Sequence, residues 1–193
     1  MNDTNSCLII IDMQKAFLDE GAMIQVPNGK RIIPEIINTI KHCRSKKIPI
    51  IWTKVNIETF EVTQYKDLFP NHFMGNKAIT LNKNADDYSI VNELKDYVLP
   101  DDIVIEKDRY SAFLYTNLHL ILKNKFNVKN IFFAGVSTNV CVESTIRDAF
   151  QLGYNCYLLS NCTATFDDKY QKLSEDIISF VFGKVINSND IIK

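Results

Sequence analysis

The chain is 193 residues long, 46% hydrophobic, and carries a net charge of −1 from 22 basic and 23 acidic side chains. That length and apolar content provide for one domain with a sizeable core across residues 1–193, and charge so evenly balanced offers no field for a nucleic acid or an anionic membrane. No run reaches the roughly 18 apolar residues of a membrane span, Met1 to Ser6 is short and polar without a leader pattern, and five cysteines at irregular spacings make neither a disulfide scaffold nor a paired zinc site; a soluble, cytoplasmic chain with free thiols is the expectation.

In chain order, Cys7 to Ile11 is a β-branched apolar run that ends at Asp12. From Arg31 to Lys46, the residues Ile33, Ile36, Ile37, Ile40 and Cys43 recur at helical spacing and define a face to be buried. A second strand follows at Ile48 to Thr53, and then an aperiodic stretch, Asn56 to Asp87, reads as an irregular segment or lid. A helix at Ile90 to Tyr97, a strand at Asp102 to Glu106, a helix at Tyr115 to Asn124 and a strand at Val128 to Val136 come next. A helix at Asn139 to Leu152, a strand at Tyr154 to Leu159, a helix at Asp168 to Phe180 and a weak strand at Gly183 to Ile186 complete the series.

Short strands alternating with longer amphipathic helices are the mark of βαβ units. The expected fold is therefore α/β: a three-layer αβα, Rossmann-like, doubly wound sheet of about six mainly parallel strands. Ligands of such sheets sit beyond the carboxyl ends of the strands. Asp12, Lys54, Lys107 and the turn from Ser137 to Cys141 occupy those ends.

The most informative segment is the apolar strand Phe132-Phe-Ala-Gly-Val, which turns at Ser137 and enters a helix with Cys141 in its first turn. Thr138 or Asn139 can cap that helix. A thiol there faces unpaired amides and the positive end of the dipole, which favour thiolate and can also hold an oxyanion. The bland alternative, a small buried helix residue, suits Cys7, Cys43 and Cys156, while Cys162, in a loop after the fifth strand, stays open, including as a redox partner of Cys141. Asp12 at the lip of a buried strand is costly unless used; it reads either as a general base and acid for the thiol or as a cap or surface ion pair. Lys107, in a crowded charged run, reads either as a solvated face or as an ammonium that keeps Asp12 ionised and favours thiolate.

Taken together, Asp12-Met-Gln14 with Phe17, then Lys107-Asp-Arg-Tyr-Ser-Ala-Phe113, then Gly135-Val-Ser-Thr-Asn-Val-Cys141-Val-Glu-Ser-Thr-Ile-Arg-Asp-Ala resemble the three motifs of the isochorismatase-like cysteine hydrolases, in order and from Leu8 to about Val185. The resemblance implies an Asp12–Lys107–Cys141 triad and a thioester-like covalent intermediate. It also implies a non-proline cis peptide between Val136 and Ser137, and an oxyanion hole from the N–H groups of Ser137 and Cys141. Nicotinamidase-type members hold a metal with an Asp-x-His pair and a further His after the second strand. Here Trp52-Thr-Lys-Val-Asn-Ile-Glu-Thr-Phe60 lacks that pair, with only His72 nearby, so no metal and no cofactor are expected and nicotinamide is disfavoured.

The third motif, with Arg109-Tyr-Ser-Ala-Phe113 and Phe180-Val-Phe-Gly183, is most similar to the ureidoacrylate amidohydrolase and carbamoyl-amide hydrolase branch. A small ureido, carbamoyl or primary amide is the expected partner. Phe17, Trp52, Tyr110 and Phe113 are candidates for an aromatic pocket wall; Gln14, Lys54, Asn56 and Arg109 are candidates for its polar contacts. The family resemblance also implies a homo-oligomer, with the apolar stretch Ile177 to Phe182 covering the sheet or meeting another subunit. Two rivals stand beside this reading: an isochorismatase-type vinyl ether hydrolase, which uses Asp12 without the cysteine, and a catalytically silent binding protein on the same fold.

Overall fold

Six strands built from these β-branched runs form one sheet in the order β3-β2-β1-β4-β5-β6. The computed structural model describes residues 5–22, 24–56 and 86–192. The strands are β1 (Ser6–Ile11), β2 (Ile50–Val55), β3 (Ile103–Lys107), β4 (Asn130–Val136), β5 (Asn155–Ala164) and β6 (Lys184–Ile186), and every pairing between neighbours is parallel. This is the expected doubly wound α/β sheet, and its order reverses between β1 and β4, the point where such sheets bind ligands.

The helices are α1 (Lys15–Leu18), α2 (Ile33–Ser45), α3 (Asn92–Lys95), α4 (Leu118–Leu120), α5 (Glu143–Gln151), α6 (Asp168–Ile177) and α7 (Asn189–Ile192). Pro34 in the first turn of α2 fits the helix start, where its missing N–H has no partner to lose. Ile33, Ile36, Ile40 and Cys43 of α2 pack with Leu8, Ile10, Trp52 and Phe132 on one face of the sheet, joined by Leu94 of α3 and Ile191 of α7. Ile146 and Ala149 of α5, with Leu118, Leu122 and Ile178, pack on the other face against Ile9, Ile51, Ile131 and Phe133. The sheet thus lies between two apolar layers, as the alternation along each strand requires.

Three expected helices are shorter and end or begin in a wider π turn: Ile121–Lys125 after α4, Thr138–Val142 before α5 and Ile178–Phe182 after α6. β5 is longer than expected and takes in Cys162, because Ser160 and Asn161 find partners in Ile186, Ser188 and Glu35 and let the strand continue. The apolar stretch after α6 is divided: Ile178 is buried, whereas Phe180 is 89% exposed. Among the described residues no helix is long and apolar enough to cross a membrane. Most of the expected lid between residues 56 and 87, with His72, lies outside the described residues.

Gly135 fixes the approach of β4 to β1. At φ 114°, a Cβ on it would run into the backbone carbonyl of Ile11. Only glycine allows β4 to lie this close just before the Ser137 turn.

Candidate active site

Asp12 directly follows β1, Lys107 ends β3 and Cys141 sits in the π turn that follows β4. Strand alternation alone would point Asp12 toward the face holding Leu8 and Ile10. Its φ of 52°, a left-handed conformation that Asp tolerates better than most residues, turns it instead to the Thr53 side. Thr53 Oγ1 donates to Asp12 Oδ1 at 2.6 Å and accepts the Asp12 N–H at 3.2 Å.

Lys107 lies two strands away across β2, roughly 10 Å in a sheet, a gap that its four-carbon stem spans. Its Nζ reaches Asp12 Oδ2 at 2.7 Å and donates to the Arg109 carbonyl at 3.1 Å. Asp12 and Lys107 are 0% and 2% exposed while Cys141 is 8% exposed, so the thiol is the member that a bound molecule would meet. The peptide between Val136 and Ser137 is cis.

Electrostatics correct one expectation from sequence. Burial pushes the Cys141 thiol up to about 12; Lys107 pulls it down, but Asp12 adds to the rise. Position near a helix start does not yield a resting thiolate, because desolvation together with Asp12 outweighs the ammonium. Burial works against the Lys107 charge, but the adjacent Asp12 carboxyl group, with a hydrogen bond to it, outweighs burial and raises the lysine above its ordinary range. The resting arrangement is a neutral thiol beside a buried carboxylate–ammonium pair. Apart from the ion pair, no hydrogen bond from the described residues satisfies Asp12 Oδ2, which leaves that oxygen able to accept a proton.

Several expected contacts fall elsewhere. Trp52 is 1% exposed, packs on the α2 face opposite Cys141, and donates its Nε1–H to Asp102 at 3.0 Å; it is core and not pocket wall. Phe113 stacks on Tyr154, which sits just before β5 at the amino-terminal end of that strand, so it too packs away from the carboxyl ends of the strands. The Gln14 side chain is committed to backbone, accepting the Val55 N–H at 2.7 Å and donating to the Val55 and Tyr88 carbonyls; it clamps β2 instead of facing a ligand. Neither Thr138 nor Asn139 caps the helix, since Thr138 donates to Gln171 and Asn139 accepts from Thr165. Cys162 lies in the core on the α2 face, the opposite side of the sheet from Cys141, and both are free thiols, which removes the redox pair.

The remaining candidates surround the strand ends. Phe17 is half-buried beside Tyr88 and Phe166, and Lys54 Nζ lies 3.5 Å over the Tyr88 ring. The backbone N–H of Asn56 donates to the Lys107 carbonyl at 2.8 Å, tying the end of β2 to that of β3. Arg109 pairs with Asp108 at 3.2 Å and packs over Tyr115, while Tyr110 is half-buried against the Cys141 face. Thr53, which holds Asp12, was hidden in sequence as one more β-former at a strand end. Among the described residues no three His, Cys, Asp or Glu side chains gather in a way that could hold a metal ion.

A doubly wound sheet with a carboxylate, an ammonium and a thiol at its switch point fits the class that the sequence resembles, the isochorismatase-like cysteine hydrolases. The isochorismatase domain model matches residues 6–190, and the chain belongs to that family. It is 29% identical over 207 aligned positions to the ureidoacrylate amidohydrolase RutB of Agrobacterium fabrum, covering 98% of this chain and 90% of that protein. It is 34% identical over 167 positions to an Arabidopsis thaliana protein described as a probable inactive nicotinamidase, covering 83% and 81%. A crystal structure of a cysteine hydrolase from Pseudomonas syringae pv. phaseolicola superposes with a TM-score of 0.88 at 25% identity, over 100% of this chain and 92% of that one.

Proposed function

We propose that the protein is a metal-independent cysteine amidohydrolase that cleaves the C–N bond of a small ureido, carbamoyl or primary amide, with Asp12, Lys107 and Cys141 as its catalytic residues. The observation that carries the reading is the convergence of a buried carboxylate and ammonium, 2.7 Å apart, on a single partly accessible thiol. Similarity to a ureidoacrylate amidohydrolase over almost the whole chain supports the substrate class.

Burial holds the Cys141 thiol well above its ordinary value, so it rests protonated at neutral pH. Attack therefore has to be coupled to proton transfer. Asp12 Oδ2 takes the proton from Cys141 Sγ as the sulfur bonds to the amide carbon. The carbonyl electrons move onto oxygen, where the N–H groups of Ser137 and Cys141 hold the oxyanion. Collapse expels the nitrogen, which leaves as ammonia or an amine with the proton from Asp12, and a thioester remains. Water then gives its proton to Asp12, attacks the thioester, and the acid product departs as the proton returns to sulfur. Lys107 pairs with Asp12 at 2.7 Å and attracts the sulfur as negative charge develops there.

The test is ammonia release from N-carbamoylglycine, N-carbamoyl-β-alanine and propionamide, with nicotinamide as contrast, after exhaustive chelation. Release that survives chelation, falls by at least about 10³-fold in Cys141→Ala and is absent for nicotinamide is expected. Full turnover by folded Cys141→Ala, or loss of activity on chelation, overturns the reading.

A further inference from the structure

We infer that Thr145 is a positioning residue for Cys141: its buried hydroxyl joins the Cys141 carbonyl to the Ala112 N–H and so holds the thiol against Lys107. The inference rests on the reading of Cys141 as the nucleophile. Thr145 lies in α5, one turn beyond Cys141, and is 0% exposed. Its Oγ1 donates to the Cys141 carbonyl at 2.6 Å and accepts the N–H of Ala112 at 3.1 Å.

The first of these bonds is ordinary, since Thr in a helix commonly bonds back to the carbonyl four residues earlier. The second is not local. It crosses 33 residues of sequence and reaches the segment that follows Lys107, whose Arg109 carbonyl accepts from Lys107 Nζ. That segment is therefore pinned at two points, by the lysine ammonium near its start and by Thr145 at Ala112, which is itself fully buried. A continuous path results: Asp12 to Lys107, Lys107 to Arg109, along the chain to Ala112, then through the Thr145 hydroxyl to Cys141. One hydroxyl both donates and accepts here, a pair of roles that valine, of the same shape, lacks and serine keeps. The π turn holding Cys141 is joined by this oxygen to a segment from a different strand end, so spacing between thiol and ammonium depends on it.

Three variants test the role: Thr145→Val, Thr145→Ala and Thr145→Ser. On the amide hydrolysed by the wild type, Thr145→Val is expected to lower kcat by about tenfold or more, because small misplacements of reacting groups are costly, with KM changed by less than about threefold. The pH profile of kcat/KM is expected to move by roughly half a unit, and Thr145→Ser should stay within about twofold of wild type on each measure. Thr145→Ala, which suits a helix, is read in the same way where the valine variant does not fold.

Hydrogen exchange gives a second reading that needs no substrate. The Ala112 amide should be protected in the wild type and in Thr145→Ser, and should exchange at least about tenfold faster without the hydroxyl. A freely exchanging Ala112 amide in the wild type, wild-type kinetics in Thr145→Val, or a serine variant as impaired as the valine one overturns the inference. Activity surviving in Cys141→Ala would take down the reading of the nucleophile, whereas a dead Cys141→Ala beside a fully active Thr145→Val takes down this inference alone.

Discussion

Thr53 Oγ1 stands 2.6 Å from Asp12 Oδ1 and also accepts the Asp12 N–H, so one hydroxyl fixes both the side chain and the backbone of the carboxylate. Both residues are buried, and nothing from solvent can replace the bond. Thr53→Val keeps the shape and removes the hydroxyl. It should cost about 1–3 kcal/mol of stability, the range for leaving a buried polar group unpaired, and lower kcat by about tenfold as Asp12 loses its orientation. Thr53→Ser should keep most of both. Urea midpoints and ammonia release check this, and a valine variant with wild-type kcat would show that Lys107 alone orients Asp12.

The Asp12–Lys107 pair is buried on both sides, with side chains 1% and 0% exposed. Removal of one partner from such a pair leaves an uncompensated charge and commonly costs about 3–5 kcal/mol. Lys107→Met should fall in that range by urea denaturation. Asp12→Asn combined with Lys107→Met should regain most of the loss while remaining inactive, since no carboxylate is left to take the thiol proton. A Lys107→Met variant losing less than about 1 kcal/mol would mean that water reaches Asp12 and screens it.

How much of this was legible in the sequence follows from which residues break a pattern. Asp12 interrupts an apolar run at a strand's carboxyl end, and Cys141 enters a helix straight from a strand; each anomaly marks a place where the chain accepts a cost. Lys107 instead stands in a charged run that reads equally as a solvated face, and the family resemblance is what singles it out. Thr53 breaks nothing, since threonine is at home in a strand. Trp52 and Phe113 were misplaced because proximity in sequence to a strand end does not say which face or which end a side chain meets. Parity puts Trp52 opposite Thr53, and the positive φ of Asp12 turns the carboxylate to the Thr53 face, where Cys141 also lies. The end of β5 was unreadable for a related reason: Ser160 and Asn161 look like loop residues until Glu35, Ile186 and Ser188 supply their hydrogen bonds. The state of the Cys141 thiol was likewise beyond sequence, because local position argues for a lowered pKa and the tertiary burial that reverses it is not local.

That reversal has a consequence at alkaline pH. Cys141 is raised from 9.0 to about 12 in the folded protein, with burial the main cause. The unfolded chain therefore releases this proton first, and above pH 9 the folded state binds more protons than the unfolded one. Stability then falls as pH rises. The contribution is intact below pH 9 and is lost progressively toward about pH 12. Lys107, raised by its partners, acts in the same direction. Unfolding free energies of wild type and Cys141→Ala measured at pH 8 and pH 10 should show the smaller decline in the alanine variant; equal declines would place the thiol in contact with solvent.

Trp52 provides a contrast with the reactive residues. Its indole donates to Asp102 at 3.0 Å, and Asp102 also accepts from Arg44 at 2.7 Å, so the ring ties β2 to α2 and to the turn before β3. Trp52→Phe deletes a bond to a charged group, worth about 1.5–3 kcal/mol, and leaves a gap in a close-packed layer. Stability should fall by about 2–4 kcal/mol, the sum of those two effects. Because the ring lies on the face away from Cys141, KM for the amide should stay within about twofold of wild type, as expected for a residue outside the binding surface. Phe substitution that leaves the urea midpoint intact but raises KM severalfold would return Trp52 to the pocket and would require the sheet to present its other face to substrate.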